Sequence, residues 1–238
     1  MKPKKIVMTG GSGRFAQIFK KIKNKEKFYY PSKKVLNIKN FDSIERYIKK
    51  IKPNYIIHCA ALSRPMDIHE KNIEESISTN IIGTSNIVKV CSKKKIKLIY
   101  FSTNYVYAGT KGNYLENDPV LPINNYALSK MGGECAVQMY KNSLILRICM
   151  TEKPFIHKKA FTDVVTNFMY HEDFAENLLK LIDKKGIINV GGPKQIIYNF
   201  AKKTNQKIKA ISAKKMLGKK FPLKQSMNIN KYLEIIKK

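Results

Sequence analysis

The sequence predicts an α/β fold built on a doubly wound parallel sheet. Three observations support this prediction: apolar strand-like runs alternate with helical segments, a glycine-rich turn joins the first strand to the first helix, and residues 96–102 form a continuous apolar run. Alternation at this spacing is typical of βαβ units, whose helices cover both faces of the sheet. The apolar run is typical of a strand that is buried on both faces.

The predicted elements follow in chain order. A short apolar strand at 4–9 runs into the glycines, and a periodic helix at 15–22 comes after them. A second strand is predicted at 28–30, and apolar residues at helical spacing predict a helix over 41–51. The next elements are a third strand at 55–59, a long helix at 68–92, a fourth strand at 96–102, a helix at 126–140 and a fifth strand at 143–149. After Thr151 the periodicity weakens, and the predictions are a helix at 173–182, a sixth strand at 186–190 and helices near 198–204 and 231–236.

Composition excludes several classes of protein. No apolar run reaches the 18 residues typical of a membrane span, so no membrane partner is expected. The basic N-terminus leads into too short an apolar stretch for a signal peptide, which favours a cytoplasmic location. The four cysteines are scattered, and neither they nor the four histidines have metal-ligand spacing, so no metal site is predicted.

The formal charge of +29 raises the question of nucleic-acid binding. Only four of the 46 basic residues are arginine, the residue favoured for bidentate contacts to phosphates and bases. The lysines are spread along the whole chain, which indicates a compositional bias and not a built binding face. We therefore expect no specific nucleic-acid binding, although the charge favours the approach of anionic substrates.

The glycine turn predicts a dinucleotide-binding loop, because it lies between a strand and a helix. Gly10 permits the tight turn, Gly13 lets the backbone approach a pyrophosphate, and Ala16 allows close packing of helix on strand. The loop residues expected to contact the cofactor are Gly10, Gly11, Ser12, Gly13, Arg14, Phe15 and Ala16. An acidic residue typical of NAD selectivity does not follow the second strand, whereas Arg14 and Lys33 or Lys34 could pair with a 2′-phosphate, so NADP is slightly preferred over NAD. Solvated surface charge is the alternative for both lysines.

Tyr126 and Lys130 lie four residues apart in a predicted helix and can therefore face one pocket. A phenol has a pKa of about 10, and a nearby cation lowers this pKa by favouring the phenolate. We interpret Tyr126 as a general acid/base tuned by Lys130, with the Thr103 hydroxyl placed to hold a substrate oxygen. Taken alone, the spacing is also compatible with an exposed helix face.

Together these motifs resemble the extended short-chain dehydrogenase/reductase superfamily and, within it, the dTDP-4-dehydrorhamnose reductase family. The Thr9–Ala16 loop is similar to the superfamily fingerprint, and the stretches at 58–61, 80–84, 101–107, 112–119, 122–134 and 222–228 are similar to further family segments. The resemblance implies a Rossmann fold, with Cys59, Ala60, Ala61, Asn80, Tyr126 and Lys130 also beside the cofactor. It implies substrate contacts from Ser63, Asn104, Tyr105, Glu116 and Arg147; for Arg147, a structural salt bridge is the alternative.

The resemblance also implies an activity and a division of the chain. The implied activity is NAD(P)H-dependent reduction of a 4-keto-6-deoxy sugar carried on a nucleoside diphosphate, as in dTDP-rhamnose biosynthesis. The enzyme would be a cytoplasmic oxidoreductase and a possible homodimer. Residues 1–149, with 168–191 returning to them, are expected to bind the cofactor, and 150–167 with 192–238 to form a small substrate-binding part. This part is shorter than is usual in the family, which leaves the sugar open.

Two alternatives to the reductase remain open. One is a nucleotide-sugar epimerase that retains NAD, and the other is a cofactor-binding regulatory subunit without turnover. Asn104 and Tyr105 stand where dehydratases of the superfamily carry acidic residues, which disfavours dehydration. Intact Thr103, Tyr126 and Lys130 favour catalysis, whereas the short substrate region favours the regulatory alternative.

Overall fold

The computed structural model describes residues 2–237. Its first half contains β1 (Lys5–Thr9), α1 (Arg14–Phe19), β2 (Lys27–Tyr29), α2 (Phe41–Ile51), β3 (Tyr55–His58), α3 (Ile68–Lys71), α4 (Ile73–Ser76), a π-helical segment (Ile77–Ile82), α5 (Gly83–Lys94) and β4 (Lys97–Thr103). A 3₁₀ turn (Asn104–Val106), α6 (Asn125–Gln138) and β5 (Ser143–Ile148) follow. The second half contains β6 (Met150–Thr151), β7 (Lys159–Phe161), β8 (Val165–Thr166), β9 (Met169–Tyr170), α7 (His171–Leu181), β10 (Gly186–Val190), β11 (Gln195–Ile196), α8 (Ile197–Lys202), β12 (Lys209–Ile211), α9 (Ala213–Leu217) and α10 (Asn230–Ile236).

Within residues 2–237 the central sheet has six strands in the order β10-β5-β4-β3-β1-β2. The pairs β1–β2, β1–β3 and β3–β4 are parallel, with Val7 opposite Ile56 and Ile57 opposite Ile99. Chain order reverses on either side of β1 and β3, which is the doubly wound pattern. The predicted fold class is therefore confirmed.

The long helix predicted at 68–92 is wrong in detail, because the chain there is broken into separate segments. Asn72 ends α3 and caps α4, its side chain accepting a hydrogen bond from the Glu75 N–H at 2.9 Å. The following turns widen into the π-helical segment before α5 resumes regular geometry. The spacing of isoleucines in this stretch did not mark a buried helix face, because Ile73, Ile77 and Ile82 are exposed.

The described chain divides into two compact units. Unit 1 consists of 2–102, Asn124–Leu146 and Ile182–Ile187, and its core packs strand residues such as Val7 and Ile56 against Ile44 and Ile87 of the helices. Unit 2 consists of Thr103–Ile123, Arg147–Leu181 and 188–237. Its core is aromatic, with Phe155 and Phe200 at the centre. The division into cofactor and substrate parts given above stays a prediction.

Within residues 2–237, no helix has both the length and the apolar character needed to cross a bilayer.

Candidate active site

The glycine loop of unit 1 is a tight turn packed against two other backbone segments. Gly10 has a φ of +68°, and a Cβ at this position would lie 2.9 Å from the Ala60 Cα. A Cβ at Gly11 would overlap the Tyr30 backbone. The Gly13 N–H donates to the Gly10 carbonyl at 2.7 Å and closes the turn ahead of α1. The loop therefore requires glycine at Gly10 and Gly11 and leaves Gly13 exposed, as close approach by a dinucleotide requires.

The turn after β3 is tied to this loop through a buried histidine. His58 shares hydrogen bonds with Thr9 Oγ1 (2.7 Å) and Thr84 Oγ1 (3.1 Å). Burial lowers the pKa of His58 to about 3, so the imidazole is neutral. The Ala60 N–H donates to Thr9 Oγ1 at 3.2 Å, which places the predicted Cys59-Ala60-Ala61 turn beside the loop.

Helix α6 carries Tyr126 and Lys130 in its first two turns. The helix begins after Asn124, whose side chain accepts a hydrogen bond from the Ala127 N–H at 2.8 Å. Tyr126 is half-buried and Lys130 is buried, which rejects the exposed-face alternative for the lysine. The Tyr126 ring lies 5.1 Å, centroid to centroid, from the ring of His69.

Lys130 is enclosed by groups that offset part of the cost of burying its charge. Its Nζ lies 4.2 Å from the centroid of the Tyr100 ring. Burial lowers the pKa of Lys130 to about 7, while Glu134 and Cys59 act in the opposite direction. Burial also raises the pKa of the Cys59 thiol, and Lys130 opposes that rise. An ammonium that titrates near neutrality is a feature common at functional sites.

Asn80 joins the turn after β3 to α6. Its Nδ2 donates to Ser129 Oγ (2.8 Å) and to the Leu62 carbonyl (2.9 Å), and its Oδ1 accepts from the Leu62 N–H (2.8 Å). Ser129 Oγ donates in turn to the Tyr126 carbonyl at 2.8 Å. Because Asn80 lies in the π-helical segment, the irregular winding coincides with the network that supports Tyr126.

The sequence analysis did not predict that His69 lies against Tyr126. Its Nδ1 shares a hydrogen bond with Ser76 Oγ at 2.7 Å, and its buried Nε2 has no hydrogen-bond partner among residues 2–237. Its position follows from the break between α3 and α4, which periodicity did not predict. A buried nitrogen without a protein partner is typical of a site that receives a ligand or water.

Three other predicted residues of unit 1 lie near its surface. Arg14, at the start of α1, is exposed and donates to Ser63 Oγ at 3.3 Å. This contact brings a predicted cofactor residue to a predicted substrate residue. Lys33 is exposed in the segment after β2, which is compatible with both the 2′-phosphate and the surface-charge alternatives.

Thr103, Asn104 and Tyr105 begin unit 2 at the end of β4. Thr103 is buried and its hydroxyl accepts from the Tyr105 N–H at 3.3 Å, capping the 3₁₀ turn. Asn104 is also buried, and its Nδ2 has no partner within the described chain. A buried amide in this state is suited to bind a ligand.

Arg147 and Glu116 belong to an internal network of unit 2. Arg147 is buried, donates to Tyr107 Oη (2.7 Å) and the Glu116 carbonyl (3.1 Å), and stacks on the Tyr107 ring. Glu116 Oε1 accepts from the Asn189 N–H at 3.1 Å, and Tyr107 Oη donates to Asn189 Oδ1 at 2.9 Å. These contacts give Arg147 a structural role within unit 2, and its predicted contact with a substrate stays a prediction.

Metal ligation finds no support in the part of the chain that the structure describes. No group of three or more His, Cys, Asp or Glu side chains there is arranged to hold an ion.

The family comparison covers most of the chain. A model of the RmlD substrate binding domain matches residues 4–191, about four-fifths of the chain. The chain belongs to this family. The match confirms the resemblance to dTDP-4-dehydrorhamnose reductases within the extended short-chain dehydrogenase/reductase superfamily.

Solved structures show the same fold along nearly the full chain. A dTDP-4-dehydrorhamnose reductase from Bacillus anthracis in complex with NADP has a TM-score of 0.85 at 23% identity, covering 98% of this chain and 92% of that one. A hypothetical dTDP-4-dehydrorhamnose reductase from Sulfolobus tokodaii has a TM-score of 0.82 at 25% identity, covering 97% and 94%. The enzyme WbmG from Bordetella bronchiseptica, in complex with NAD and UDP, has a TM-score of 0.75 at 18% identity, covering 99% and 89%.

The curated proteins with similar sequences include a subunit of methionine adenosyltransferase and a reductase. Methionine adenosyltransferase 2 subunit beta from Xenopus laevis is 36% identical over 119 residues, which is 50% of this chain and 35% of that protein. A probable low-salt glycan biosynthesis reductase, Agl14, from Haloferax volcanii is 32% identical over 115 residues, covering 48% and 38%. The matches thus span little more than a third of the length of these relatives.

Proposed function

We propose that this RmlD-family chain binds NAD(P)H, with NADPH slightly preferred, and reduces the keto group of a 4-keto-6-deoxy sugar carried on a nucleoside diphosphate. The observation that carries the proposal is the Tyr126–Lys130 pair of α6, in which a half-buried phenol precedes a buried ammonium by one helical turn. The Asn80–Ser129 hydrogen bond holds this pair beside the turn after β3. Family membership and the NADP-bound structural relative support the same cofactor class.

The residues of unit 1 fit a dinucleotide. The turn at Gly10 and Gly11 admits no side chain, Gly13 is exposed, and Arg14 stands at the start of the helix. Arg14 and Lys33 would hold a 2′-phosphate, and Lys130 would also bond the nicotinamide ribose. When bound, the nicotinamide supplies the hydride that reaches the keto carbon.

The remaining steps belong to side chains of this chain. Tyr126 would donate its phenolic proton to the oxygen that becomes the hydroxyl group. The Lys130 ammonium would stabilise the resulting phenolate, which lowers the pKa of the phenol towards the working range of a general acid. The Thr103 hydroxyl would donate a hydrogen bond to the same oxygen and stabilise its developing charge. Asn104 and Tyr105 would contact the sugar.

The experiment is absorbance loss of NADPH or NADH with a panel of nucleotide-linked 4-keto sugars. Tyr126→Phe should lower turnover by about 10²–10⁴-fold, the usual contribution of a positioned acid. Tyr140→Phe is the matched control, because its hydroxyl donates to the Ile96 carbonyl and the residue lies beyond the end of α6. Wild-type turnover in Tyr126→Phe would refute the assignment of the acid, and cofactor binding without oxidation by any sugar would refute the reductase.

A second candidate is a cofactor-binding subunit without turnover. It is favoured by the 36% identity to a protein named as a subunit of methionine adenosyltransferase. Under this proposal NADPH binds and no keto sugar oxidises it. An epimerase would instead interconvert sugars without net loss of cofactor.

A further inference from the structure

We propose that unit 1 carries a binding site for a compact oligophosphate in a lysine-lined cavity at the amino ends of β1, β3 and β4. The cavity has a volume of about 820 Å³. Lys5, Tyr55 and Lys97, the first residues of these three adjacent strands, all line it. The site is independent of the function proposed above.

The composition of the wall differs from that of the chain. Within the described residues, seven of the fourteen that line the cavity are lysines, and they face a single carboxylate, that of Asp183. Lysine makes up less than one fifth of the sequence, since four of its 46 basic residues are arginine. A wall that is half lysine is therefore more than the bias of the chain supplies.

Helix ends account for only part of this enrichment. Lys52 follows the last residue of α2, Lys94 is the last residue of α5, and Lys95 follows it. At these positions a cation offsets the negative end of the helix dipole. Lys4, Lys5 and Lys97 belong to the starts of strands and have no such role. Two unrelated sets of lysines thus converge on one cavity.

Most of this charge is not neutralised by the protein. Lys4 Nζ pairs with Asp183 at 2.9 Å, and the same carboxylate also accepts from the Tyr55 hydroxyl. Lys52, Lys94 and Lys95 form no ion pair within the described part of the chain and are exposed. Lys97 is buried and donates to the Lys184 carbonyl, and burial lowers its pKa to about 8 with Lys185 acting in the same direction. An anion in the cavity would relieve this repulsion.

The wall also restricts the kind of anion. Lysine is a compact point charge suited to phosphate oxygens, and the cavity holds no arginine for bidentate readout of bases. Its one aromatic ring, Tyr55, is covered by Lys4 Nζ at 4.9 Å from the centroid, so it is not a free platform for a base. A chain of several phosphates, either free or in a nucleoside triphosphate, satisfies this wall best.

The cavity is separate from the glycine loop, although both belong to unit 1. Strand β1 starts at Lys5 in the cavity and ends at Thr9 before the loop. Its five residues span about 13 Å at roughly 3.3 Å per residue. An oligophosphate in the cavity would therefore leave the loop free.

The test is calorimetric titration of the full chain with tripolyphosphate at physiological ionic strength. The cavity variant is Lys52→Asn/Lys94→Gln/Lys95→Asn, with asparagine at the two positions of positive φ because it tolerates that conformation. The matched control is Lys207→Gln/Lys219→Gln/Lys220→Gln, which removes the same charge from exposed positions of unit 2. A further variant, Arg14→Gln, reports on binding at the glycine loop.

We expect one tripolyphosphate per chain, an affinity lowered about tenfold or more in the cavity variant, and a change below about twofold in the control, because charges at contact distance contribute far more than distant screened ones. Titration with ATP distinguishes a nucleotide ligand from a free oligophosphate. If the affinity for ATP also falls in the cavity variant, the site accepts the phosphate chain of a nucleotide. If it does not fall, the site takes the free oligophosphate. Equal losses in both triple variants, or a loss in Arg14→Gln as large as in the cavity variant, would overturn the proposal. Tighter, cavity-dependent binding of a single-stranded oligonucleotide would replace it with a nucleic-acid site.

Discussion

Two buried lysines of unit 1 lie in surroundings of opposite electrostatic character. Lys130 is 3% exposed and Lys97 is 7% exposed, and burial lowers the pKa of the first to about 7 and of the second to about 8. Glu134 and Cys59 favour the charged form of Lys130. At Lys97, the nearby Lys185 disfavours the charged form, and only Asp183 opposes it.

The difference indicates how each charge is used. The counter-charge of Lys130 is supplied by Glu134 of the protein, and its ammonium lies over the Tyr100 ring, which fits a group held ready to stabilise a phenolate. Lys97 has a backbone carbonyl and a cavity crowded with lysines, which fits a group that receives its counter-charge from a ligand. Burial alone therefore does not mark a catalytic lysine; the sign of its neighbours separates the two cases.

The largest expected effect is on turnover, which substitution of Lys130 should lower and substitution of Lys97 should not. Lys130→Met should lower turnover of a nucleotide-linked keto sugar by about 10²–10⁴-fold, because Tyr126 loses the cation that favours its phenolate. Lys97→Met should leave turnover within about twofold and lower tripolyphosphate affinity instead. Steady-state NADPH oxidation and calorimetry of both variants measure this contrast. If Lys97→Met lost turnover as Lys130→Met does, the two regions would not have distinct roles.

The second prediction concerns the pH dependence of stability at Lys97. Its folded-state pKa of about 8 lies below the ordinary value of 10.5, so the folded chain binds fewer protons than the unfolded chain between these values. The destabilisation from this lysine is fully present below about pH 8 and decreases as the pH rises towards 10.5. Between about pH 7 and about pH 9.5 the free energy of unfolding of the wild type should therefore rise by about 1–2 kcal/mol relative to that of Lys97→Met. This range allows for solvent screening, because the cavity is open to water.

Urea titrations of both proteins across this range measure the difference, and Lys207→Met controls for general charge effects. The comparison with Met matters because loss of self-repulsion stabilises every variant of a chain with a charge of +29 as the pH rises. A parallel pH dependence of wild type and Lys97→Met would show that Lys97 titrates normally.

A third prediction tests how tightly α6 is fixed behind Lys130. A methyl group at Gly133 would overlap the Tyr100 hydroxyl, which donates to the Lys130 carbonyl at 3.1 Å. Gly133→Ala should therefore destabilise the chain by about 1–3 kcal/mol, the usual cost of overpacking. In a Tyr100→Phe background the cost should fall, but not vanish, because the same methyl group would also lie 2.9 Å from the Asn80 carbonyl. Thermal or urea unfolding of the wild type, the two single variants and the double variant gives the coupling energy. Additive effects would show that the methyl group at Gly133 does not press on the Tyr100 hydroxyl.

The sequence predicted the central sheet well because its signals are local. Each of the six strands lies within about two residues of its predicted bounds, and the helix at 41–51 matches at both ends. The break at Asn72 and the π-helical segment were missed, because an asparagine inside an apolar period reads as an exposed helix position. In the structure Asn72 instead caps a new helix.

The candidate site was predicted only as far as its motifs extend. Glycine spacing and the Tyr126–Lys130 spacing are visible in the sequence, whereas the contact of His69 with Tyr126 depends on the missed break. The cavity at the amino ends of the strands left no motif, because Lys5, Lys52 and Lys97 come from distant segments of a lysine-rich chain. The region could be recognised only in the structure, where these distant lysines lie around one cavity.

The smallest expected effect concerns the edge of the cavity. Lys95 follows the last residue of α5 and has a φ of +55°, a conformation that costs most side chains energy but that asparagine adopts more readily. Lys95→Asn should therefore raise the free energy of unfolding slightly, by no more than about 0.5 kcal/mol, and leave turnover unchanged. Lys94→Asn, at a position still within the helix, is the matched control and should instead destabilise by a few tenths of a kcal/mol, because asparagine is a poor helix former. If the two substitutions had the same sign, Lys95 would not be under backbone strain. If they differ as expected, the backbone conformation at Lys95, and not the lysine side chain, limits stability at this edge of the cavity.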